Sequence, residues 1–320
     1  MHKAMAILLL LCAASNLFAG AIRYTITPLE DLGSGYSEPG TLNKYGQVVG
    51  YSFTTTPGVY HAFLYTPGVG IQDLGTLGGT LSQALDVNDS GHVVGVAALP
   101  GDTGYHAFLY TPSTGIQDIG ATYPGTYSKA FGINNFDQTV GDLGGGGFFY
   151  SPSTGMQLAQ RGRRINDSGQ VAGEDYPGFG TGAGINSRGD VVGIGGAGNA
   201  FACLAGGSCA LIPGTVHAWA ISEDREIIGQ AVDSGGTPYA FLSTDGTMSN
   251  LTDLVLANPG WWLYDARDIN SAGQIVGLGF DPEGNRRGFL LNPVPEPRTL
   301  GLFGLLAVFA LRKRHTTHTR

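Results

Sequence analysis

Short β-prone runs separated by turns rich in glycine and asparagine recur along most of this chain. The clearest example joins the runs 84–87 and 92–97 through Asn88-Asp89-Ser90-Gly91. Two such runs, joined by a turn whose Asn and Gly tolerate positive φ, predict a β-hairpin. Related stretches recur at 42–50, 133–141, 165–173, 185–193, 221–229 and 269–277.

A second hairpin pattern follows the first. It predicts a strand at Tyr105–Thr111, a turn at Pro112–Gly115 and a return strand at 116–118. An almost identical copy lies at 61–75, and weaker copies lie at 147–158, 199–212, 239–254 and 288–293. Two hairpins in succession make a four-stranded antiparallel unit of about 45 residues, which is the size of a propeller blade.

The number of units predicts an all-β, β-propeller-like array. Residues 22–297 accommodate about six units of this size, so we predict six full blades. The stretch 165–184 lacks its second hairpin and is expected to form a partial seventh blade or a long insertion. The last copy lacks a final strand, and residues 25–33 resemble that strand. Pairing these ends would close a ring and protect two sheet edges, whereas an open solenoid, the alternative, would leave them exposed.

Recurring signatures also carry a family resemblance. His61-Ala62-Phe63 returns as His106-Ala107-Phe108, accompanied by the motifs Ile-Gln-Asp-Leu-Gly and Asn-x-x-Gly-x-Val-Val-Gly. These residues resemble the HAF extracellular repeat family over most of 40–293. The resemblance implies that 22–293 is an exported bacterial repeat domain, and it implies no particular activity.

Composition narrows the class of protein further. The 320 residues include 53 glycines, and 13 % are charged while 42 % are hydrophobic. Glycine costs about 1 kcal/mol inside a helix, which argues against a helical bundle, and the apolar content argues against whole-chain disorder. The segment 22–297 holds 11 Lys and Arg against 25 Asp and Glu. Such a body repels nucleic acid and anionic lipid, so we expect neither as its partner.

The N-terminal segment 1–21 has the features of a secretory signal peptide. Lys3 precedes a short apolar run at 7–14, and Ala19-Gly20-Ala21 has the small-x-small pattern of a cleavage site. The apolar run is too short to span a bilayer, which disfavours an uncleaved anchor. We expect signal peptidase to cut after Ala21 or, as the second choice, after Ala19.

The C-terminal segment combines a proline-containing motif, an apolar run and a basic cluster. Val294-Pro295-Glu296-Pro297 precedes an apolar run at 299–311 and the basic cluster Arg312-Lys313-Arg314. This order resembles the PEP-CTERM sorting signal of Gram-negative bacteria, here spanning 294–314 and followed by a tail at 315–320. The resemblance implies a short transmembrane helix, transient residence in the inner membrane and removal of the tail by an exosortase-type enzyme. A plain single-pass anchor is the alternative.

Residues that recur in the repeat are expected to build the fold. Carboxylates at one repeat position are expected to be turn or strand-end groups, with a ring of Ca²⁺ ligands as the alternative. These are Asp31, Asp73, Asp118 and Asp253. His61 and His106 are likewise expected to pack in strands rather than to bind a metal.

Residues that interrupt the repeat are better site candidates. Trp261-Trp262, with Tyr264, are expected to pack in the core or to form a stacking platform for sugar rings. The only basic cluster of the body, at 161–164, is expected to be a solvated loop, with an anion site as the alternative. His217 and Trp219 have no obvious partner in the sequence.

Cys203 and Cys209 flank a five-residue loop, and in an exported protein we expect them to form a disulfide.

No Gly-x-Ser-x-Gly, His-Glu-x-x-His or phosphate-loop motif occurs, and no cofactor is indicated. The sequence therefore predicts a non-enzymatic protein of the cell surface or exterior, with a structural or adhesive role in extracellular polysaccharide or biofilm matrix. A carbohydrate-binding propeller and a propeller glycosidase or lyase are the alternatives.

Overall fold

Strands make up nearly all of the regular structure in this protein. The computed structural model describes residues 22–121, 123, 125–173, 179–195, 198–258 and 260–294. Within them, α1 spans Leu251–Leu254 and a 3₁₀ turn spans Pro100–Asp102. None of the helices in these residues is both long and apolar enough to cross a membrane.

Of the predicted signal-peptide cleavage and sorting residues, the structure describes only Val294. Val294 ends the last strand. The other predicted cleavage and sorting residues lie outside the described residues, and these are Ala19, Ala21, Pro295, Glu296, Pro297, Arg312, Lys313 and Arg314.

Six four-stranded antiparallel sheets form the blades of a β-propeller. In blades 1 to 3 the strands pair in chain order from the channel outward. Blade 1 contains β2 (Gly33–Leu42), β3 (Val48–Thr54), β4 (Tyr60–Thr66) and β5 (Gly70–Gly75). Blade 2 contains β6 (Ser82–Val87), β7 (Val93–Ala98), β8 (Tyr105–Thr111) and β9 (Gly115–Asp118). Blade 3 contains β10 (Ser128–Ile133), β11 (Thr139–Leu143), β12 (Gly146–Ser151) and β13 (Gly155–Ala159).

A two-stranded partial blade separates blade 3 from the remaining three. It contains β14 (Gly162–Ile165) and β15 (Val171–Gly173). Blade 4 contains β16 (Gly180–Ile185), β17 (Val191–Gly195), β18 (Ala200–Cys203) and β19 (Cys209–Ile212). Blade 5 contains β20 (Thr215–Ile221), β21 (Ile227–Val232), β22 (Pro238–Thr244) and β23 (Thr247–Asn250). Blade 6 contains β24 (Trp262–Ile269), β25 (Ile275–Phe280), β26 (Arg286–Val294) and β1 (Arg23–Pro28).

The two ends of the described chain close the ring. β1 pairs antiparallel with β26, from Arg23 opposite Val294 to Pro28 opposite Phe289. The predicted end pairing and the six full blades are therefore confirmed. The partial blade expected at 165–184 is present as β14 and β15, but it begins at Gly162, and Gly180–Ile185 is the inner strand of blade 4. An open solenoid is wrong, because it would leave β26 without its outer neighbour.

An asparagine at the first turn of most repeats ties neighbouring blades together. Oδ1 of Asn88 accepts the N–H groups of Ser90 and His92, so this side chain closes its own turn. Its Nδ2 donates to the carbonyl oxygen of Asn134 in the next blade at 3.1 Å. The same blade-to-blade bond is donated by Asn43, Asn134, Asn166, Asn186 and Asn270. We call these six residues, with Ser222 at the seventh turn, the asparagine belt.

The last glycine of the turn motif and the phenylalanine of the second hairpin form one packing unit. Gly95 lies opposite Phe108, which is fully buried. A Cβ at Gly95 would lie 2.0 Å from the carbonyl oxygen of Gln83 and 2.8 Å from the Phe108 ring. The equivalent glycines are equally close to a carbonyl oxygen, and they are Gly50, Gly141, Gly193, Gly229 and Gly277.

The hairpin order gives the ring two different faces. Turns from the first to the second strand and from the third to the fourth lie on one face with the asparagine belt, and we call it the turn face. Loops from the second to the third strand, and the connections between blades, lie on the opposite face, which we call the mouth face. Ile22 and Val294 border one cavity with Asn270 of the belt, so both described chain ends lie on the turn face.

Candidate functional site

A β-bulge in every inner strand aims one side chain into the central channel. The register between the first two strands shifts at the same point in all six blades and in the partial blade. The residues at this point are Gly40, Leu85, Phe131, Arg163, Ala183, Trp219 and Arg267, which we call the bulge ring. Together they line a cavity of about 270 Å³ towards the mouth face.

The bulge ring is chemically varied although the motif around it is repeated. It contains two pairs of an arginine and an aromatic ring from neighbouring positions. The guanidinium carbon of Arg163 lies 5.4 Å from the Phe131 centroid, and that of Arg267 lies 5.8 Å from the Trp219 centroid. The fold directs these side chains into the channel, but the repeat does not require any particular residue there. Functional residues are expected at positions of this kind.

Glu38 on β2 is the most highly connected side chain at this cavity. Its carboxylate accepts the hydroxyl groups of Tyr36 at 2.5 Å and Tyr51 at 2.8 Å, and it lies 3.3 Å from Nη2 of both Arg267 and Arg286. Burial alone would raise the pKa of Glu38, but these hydroxyl groups and arginines outweigh it and lower the pKa. Burial and the Glu38 contact raise the pKa of Tyr51 to about 12. Glu38 is therefore a fixed, ionised acceptor.

A second buried carboxylate joins blade 5 to blade 6. Oδ1 of Asp265 accepts the indole N–H of Trp219 at 2.9 Å, and Oδ2 accepts Nε–H of Arg267 at 2.5 Å. Burial raises the pKa of Asp265, and the Arg267 charge opposes the rise. His217 stacks on Trp219 with centroids 4.8 Å apart, and burial lowers the pKa of this imidazole. His217 and Trp219, which lacked a partner in the sequence, thus partner each other.

The opposite side of the cavity is cationic. Nζ of Lys129 lies 5.3 Å from the Phe131 centroid, over the ring that Arg163 also contacts. Burial and the Arg163 charge lower the pKa of Lys129, against a smaller opposing effect of Asp142. Arg164 donates from Nη1 to the Phe131 carbonyl oxygen at 2.8 Å. The solvated loop expected at 161–164 is wrong, because residues 162–165 form β14 and its bulge turns Arg163 into the channel.

Two carboxylates lie deeper in the channel, one residue closer to the belt. Asp86 and Asp268 line a cavity of about 290 Å³ that Arg164 also borders. Each accepts an N–H from the next blade at 3.0 Å, Asp86 from Ile133 and Asp268 from Leu42. Burial raises the pKa of Asp268 to about 7, with Arg164 opposing and Asp86 adding to the rise. These aspartates link neighbouring blades, and burial favours their protonated form.

An aromatic rim borders the mouth on blade 6. Trp262 is 39 % exposed and stacks on Phe280 with centroids 5.3 Å apart, and Tyr264 lies 6.4 Å from Trp262. Trp261, by contrast, is 5 % exposed and belongs to the same core cluster as Leu263. A platform made of both tryptophans is therefore wrong, because neighbouring residues of an extended chain point to opposite sides. Of these two tryptophans, Trp262 alone is exposed enough to contact a ligand.

The repeated histidines pair with aspartates inside their own blades. Nδ1 of His61 lies 2.8 Å from Asp73, and Nδ1 of His106 lies 2.8 Å from Asp118. Each pair fastens the third strand to the fourth in its blade. The described part of the chain has no group of three or more His, Cys, Asp or Glu placed to hold a metal ion. A disulfide joins Cys203 to Cys209 across β18 and β19.

The other two repeated aspartates do not occupy the position of Asp73 and Asp118. Opposite the equivalent buried phenylalanine lie Pro28 in blade 6 and Asn250 in blade 5. Asp31 lies between β1 and β2 and accepts the N–H groups of Gly33 and Gly35 at the start of β2, whereas Asp253 lies in α1. Asp31, Asp73 and Asp118 each accept the N–H group two residues further along the chain, so the predicted turn or strand-end role is confirmed for these three. One shared repeat position for all four aspartates, and with it the ring of Ca²⁺ ligands, is wrong.

Sequence reasoning missed Glu38, Lys129 and Arg267. One signal would have found the bulge ring: its members stand three residues before each belt position, and they vary while their neighbours repeat. Reading that column of the repeats would have selected Phe131 and Arg267 together with Arg163 and Trp219, which the sequence did single out.

Comparisons with known proteins bear on the fold. No family model and no curated protein matches the chain. A catalytically inactive variant of virginiamycin B lyase from Staphylococcus aureus, with quinupristin, is similar at 11 % identity and a TM-score of 0.51, over 83 % of this chain and 99 % of that chain. The fold is a β-propeller. At this identity the likeness shows nothing beyond the fold.

Two further solved structures are more distant. A putative gluconolactonase is 12 % identical with a TM-score of 0.44, over 86 % of this chain and 93 % of that chain. Trypanosoma rangeli sialidase is 9 % identical with a TM-score of 0.40, over 94 % of this chain and 64 % of that chain.

Proposed function

We propose that this protein is an exported β-propeller that binds extracellular polysaccharide at its mouth face and has a structural or adhesive role. The observation that carries the proposal is the aromatic rim beside the bulge-ring cavity. Trp262 offers an exposed aromatic face that stacks on Phe280. Its neighbour Tyr264 accepts a hydrogen bond from Arg286, which also contacts Glu38 at the cavity, so fixed polar groups connect the rim to the cavity. A mostly apolar or aromatic surface with a few placed polar groups is the usual composition of a ligand site.

Export is the second part of the proposal. Its support is the signal-peptide pattern at 1–21 and the resemblance of 294–314 to a PEP-CTERM sorting signal. The Cys203–Cys209 disulfide is also in keeping with an oxidising compartment. The proposed partners are signal peptidase and an exosortase-type enzyme. The proposed route includes a transient stay in the inner membrane of a Gram-negative cell.

Glycan arrays followed by calorimetric titration test the binding. Trp262→Ala is expected to weaken binding by about tenfold or more, because it removes the exposed aromatic face. Tyr45→Ala is the matched control, since Tyr45 is 62 % exposed on the opposite, turn face. Binding that survives Trp262→Ala, or falls equally with Tyr45→Ala, would count against a site at the mouth.

Mass spectrometry of the secreted protein tests the sorting. We expect the mature N-terminus at Ile22 or, with the second cleavage choice, at Gly20, and a C-terminus before residue 299. Released protein that still contains the basic cluster Arg312-Lys313-Arg314 would contradict removal of the tail.

A glycosidase or lyase is the second candidate, and one observation favours it. Glu38 and Asp265 both contact Arg267, but their pKa values shift in opposite directions. The pKa of Glu38 is lowered and the pKa of Asp265 is raised. Pairs of this kind serve as base and acid in hydrolases. Incubation with polysaccharides, followed by assays for new reducing ends and for unsaturated sugar ends, tests it. Turnover that Asp265→Asn abolishes would support an enzyme, whereas absence of products from every bound glycan would reject it.

A further inference from the structure

Basic residues are concentrated at the mouth cavity of this acidic protein. Residues 22–297 contain 11 Lys and Arg against 25 Asp and Glu, yet four of those basic residues line the bulge-ring cavity. They are Lys129, Arg163, Arg164 and Arg267. Among the described residues that line it, Glu38 is the only acidic one. A positive cavity in a negative protein favours an anionic ligand at that point.

Two of the four basic residues interact with carboxylates of the protein itself. Arg267 contacts both Asp265 and Glu38. Arg164 faces the two buried aspartates of the deeper cavity and opposes their pKa rise. These two arginines therefore hold the channel wall together.

Lys129 and Arg163 are differently placed. In the described part of the chain neither forms an ion pair, and Asp142, which lies opposite Lys129 in the sheet, pairs with Arg161 at 3.4 Å. Nζ of Lys129 and the guanidinium carbon of Arg163 lie 5.3 and 5.4 Å from the centroid of the same Phe131 ring, so the two cations are neighbours at the cavity. Their repulsion contributes to the lowered pKa of Lys129, and an anion between them would relieve it.

We infer that the mouth binds an acidic polysaccharide, with the carboxylate of a uronic acid residue held between Lys129 and Arg163. The inference rests on the proposed function, which supplies the glycan. A guanidinium matches a carboxylate with two parallel N–H groups, and an ammonium adds a compact charge. The aromatic rim then contacts the less polar faces of neighbouring sugars.

Calorimetric titration with oligomers of galacturonate, mannuronate and glucuronate tests the inference. The fully methyl-esterified oligomers are the matched ligands, because they keep the backbone and lose the charge. We expect at least one acid form to bind about tenfold or more tightly than its ester. Lys129→Gln and Arg163→Gln are each expected to weaken that binding by a similar factor, with little effect on the ester. Arg188→Gln, an exposed arginine on the turn face, is the control and is expected to change neither.

The outcomes separate this inference from the proposed function. Equal binding of acid and ester forms, or binding that Trp262→Ala abolishes but Lys129→Gln and Arg163→Gln leave intact, would overturn the carboxylate site and retain glycan binding. Failure of every neutral and acidic glycan to bind would overturn both. Thermal unfolding of each variant, followed by circular dichroism, distinguishes loss of binding from loss of folding.

Discussion

The one interruption in the asparagine belt predicts a stabilising substitution. At six turns Nδ2 donates to the next blade, but Ser222 is too short to reach the carbonyl oxygen of Asn270. Among the described groups, that oxygen accepts only the N–H of Gly273. Ser222 also closes its own turn with one bond, from the N–H of Glu226, whereas Asn270 accepts two N–H groups. Ser222→Asn therefore offers two new hydrogen bonds.

The magnitude follows from those two bonds. Each adds about 0.5–1.5 kcal/mol, and ordering the longer side chain costs about 1 kcal/mol, so the net gain is about 1 kcal/mol. A cavity of about 470 Å³ borders both Ser222 and Asn270, so the larger side chain has room. For a domain of this size the gain corresponds to a rise of about 2–4 °C in Tm.

Thermal and urea unfolding of residues 22–297 measure the effect. Asn134→Ser is the matched reverse substitution, because Asn134 makes both the turn bonds and the bond to Asn166. It is expected to lower stability by about 2 kcal/mol. An unchanged or lower Tm in Ser222→Asn, beside a clear loss in Asn134→Ser, would refute the idea that Ser222 is a missing belt bond.

Three further substitutions test the channel and the blades. Because the pKa of Asp268 is about 7 in the folded protein and near 4 when unfolded, the native state binds the extra proton and stability falls as pH rises between these values. Asp268→Asn is expected to flatten that fall in urea unfolding followed from about pH 4 to 8, and an unaltered profile would contradict it. Lys129→Gln is expected to raise Tm, since burial and Arg163 disfavour the charged lysine, and a lower Tm would argue against the repulsion. Gly141→Ala is expected to cost about 3 kcal/mol or more in urea unfolding, because its Cβ would lie 2.1 Å from the Lys129 carbonyl oxygen; near-wild-type stability would contradict this packing.

The blade count and the ring closure were predictable because each blade repeats the same local physics. The turn asparagine, the left-handed glycine as at Gly91 and the close-packed glycine as at Gly95 are set by contacts within one repeat or with the next. A pattern that recurs for one physical reason is readable without an alignment. The misplacement of Asp253 shows the limit, because α1 interrupts the fourth strand and shifts the residues after it.

The candidate site was less predictable because bulges set its geometry. An extra residue in each inner strand breaks the two-residue alternation, so hydrophobic periodicity cannot tell that Arg163 or Trp219 points into the channel. The partners are also distant in sequence: Glu38 contacts Arg286 across 248 positions. Such contacts exist only once the ring has closed.

The closing strand has a mechanical consequence. β26 begins at Arg286, which contacts Glu38 at the mouth, and ends at Val294 on the turn face, so it runs about 30 Å between the two faces. It is hydrogen-bonded to β25 on one side and to β1 on the other. Tension between a ligand held at the mouth and an attachment beyond Val294 would run along this strand. Such a load would have to break the hydrogen bonds between β26 and both of its neighbours together, in shear, rather than one bond at a time. Blade 6 is therefore expected to resist pulling in that direction.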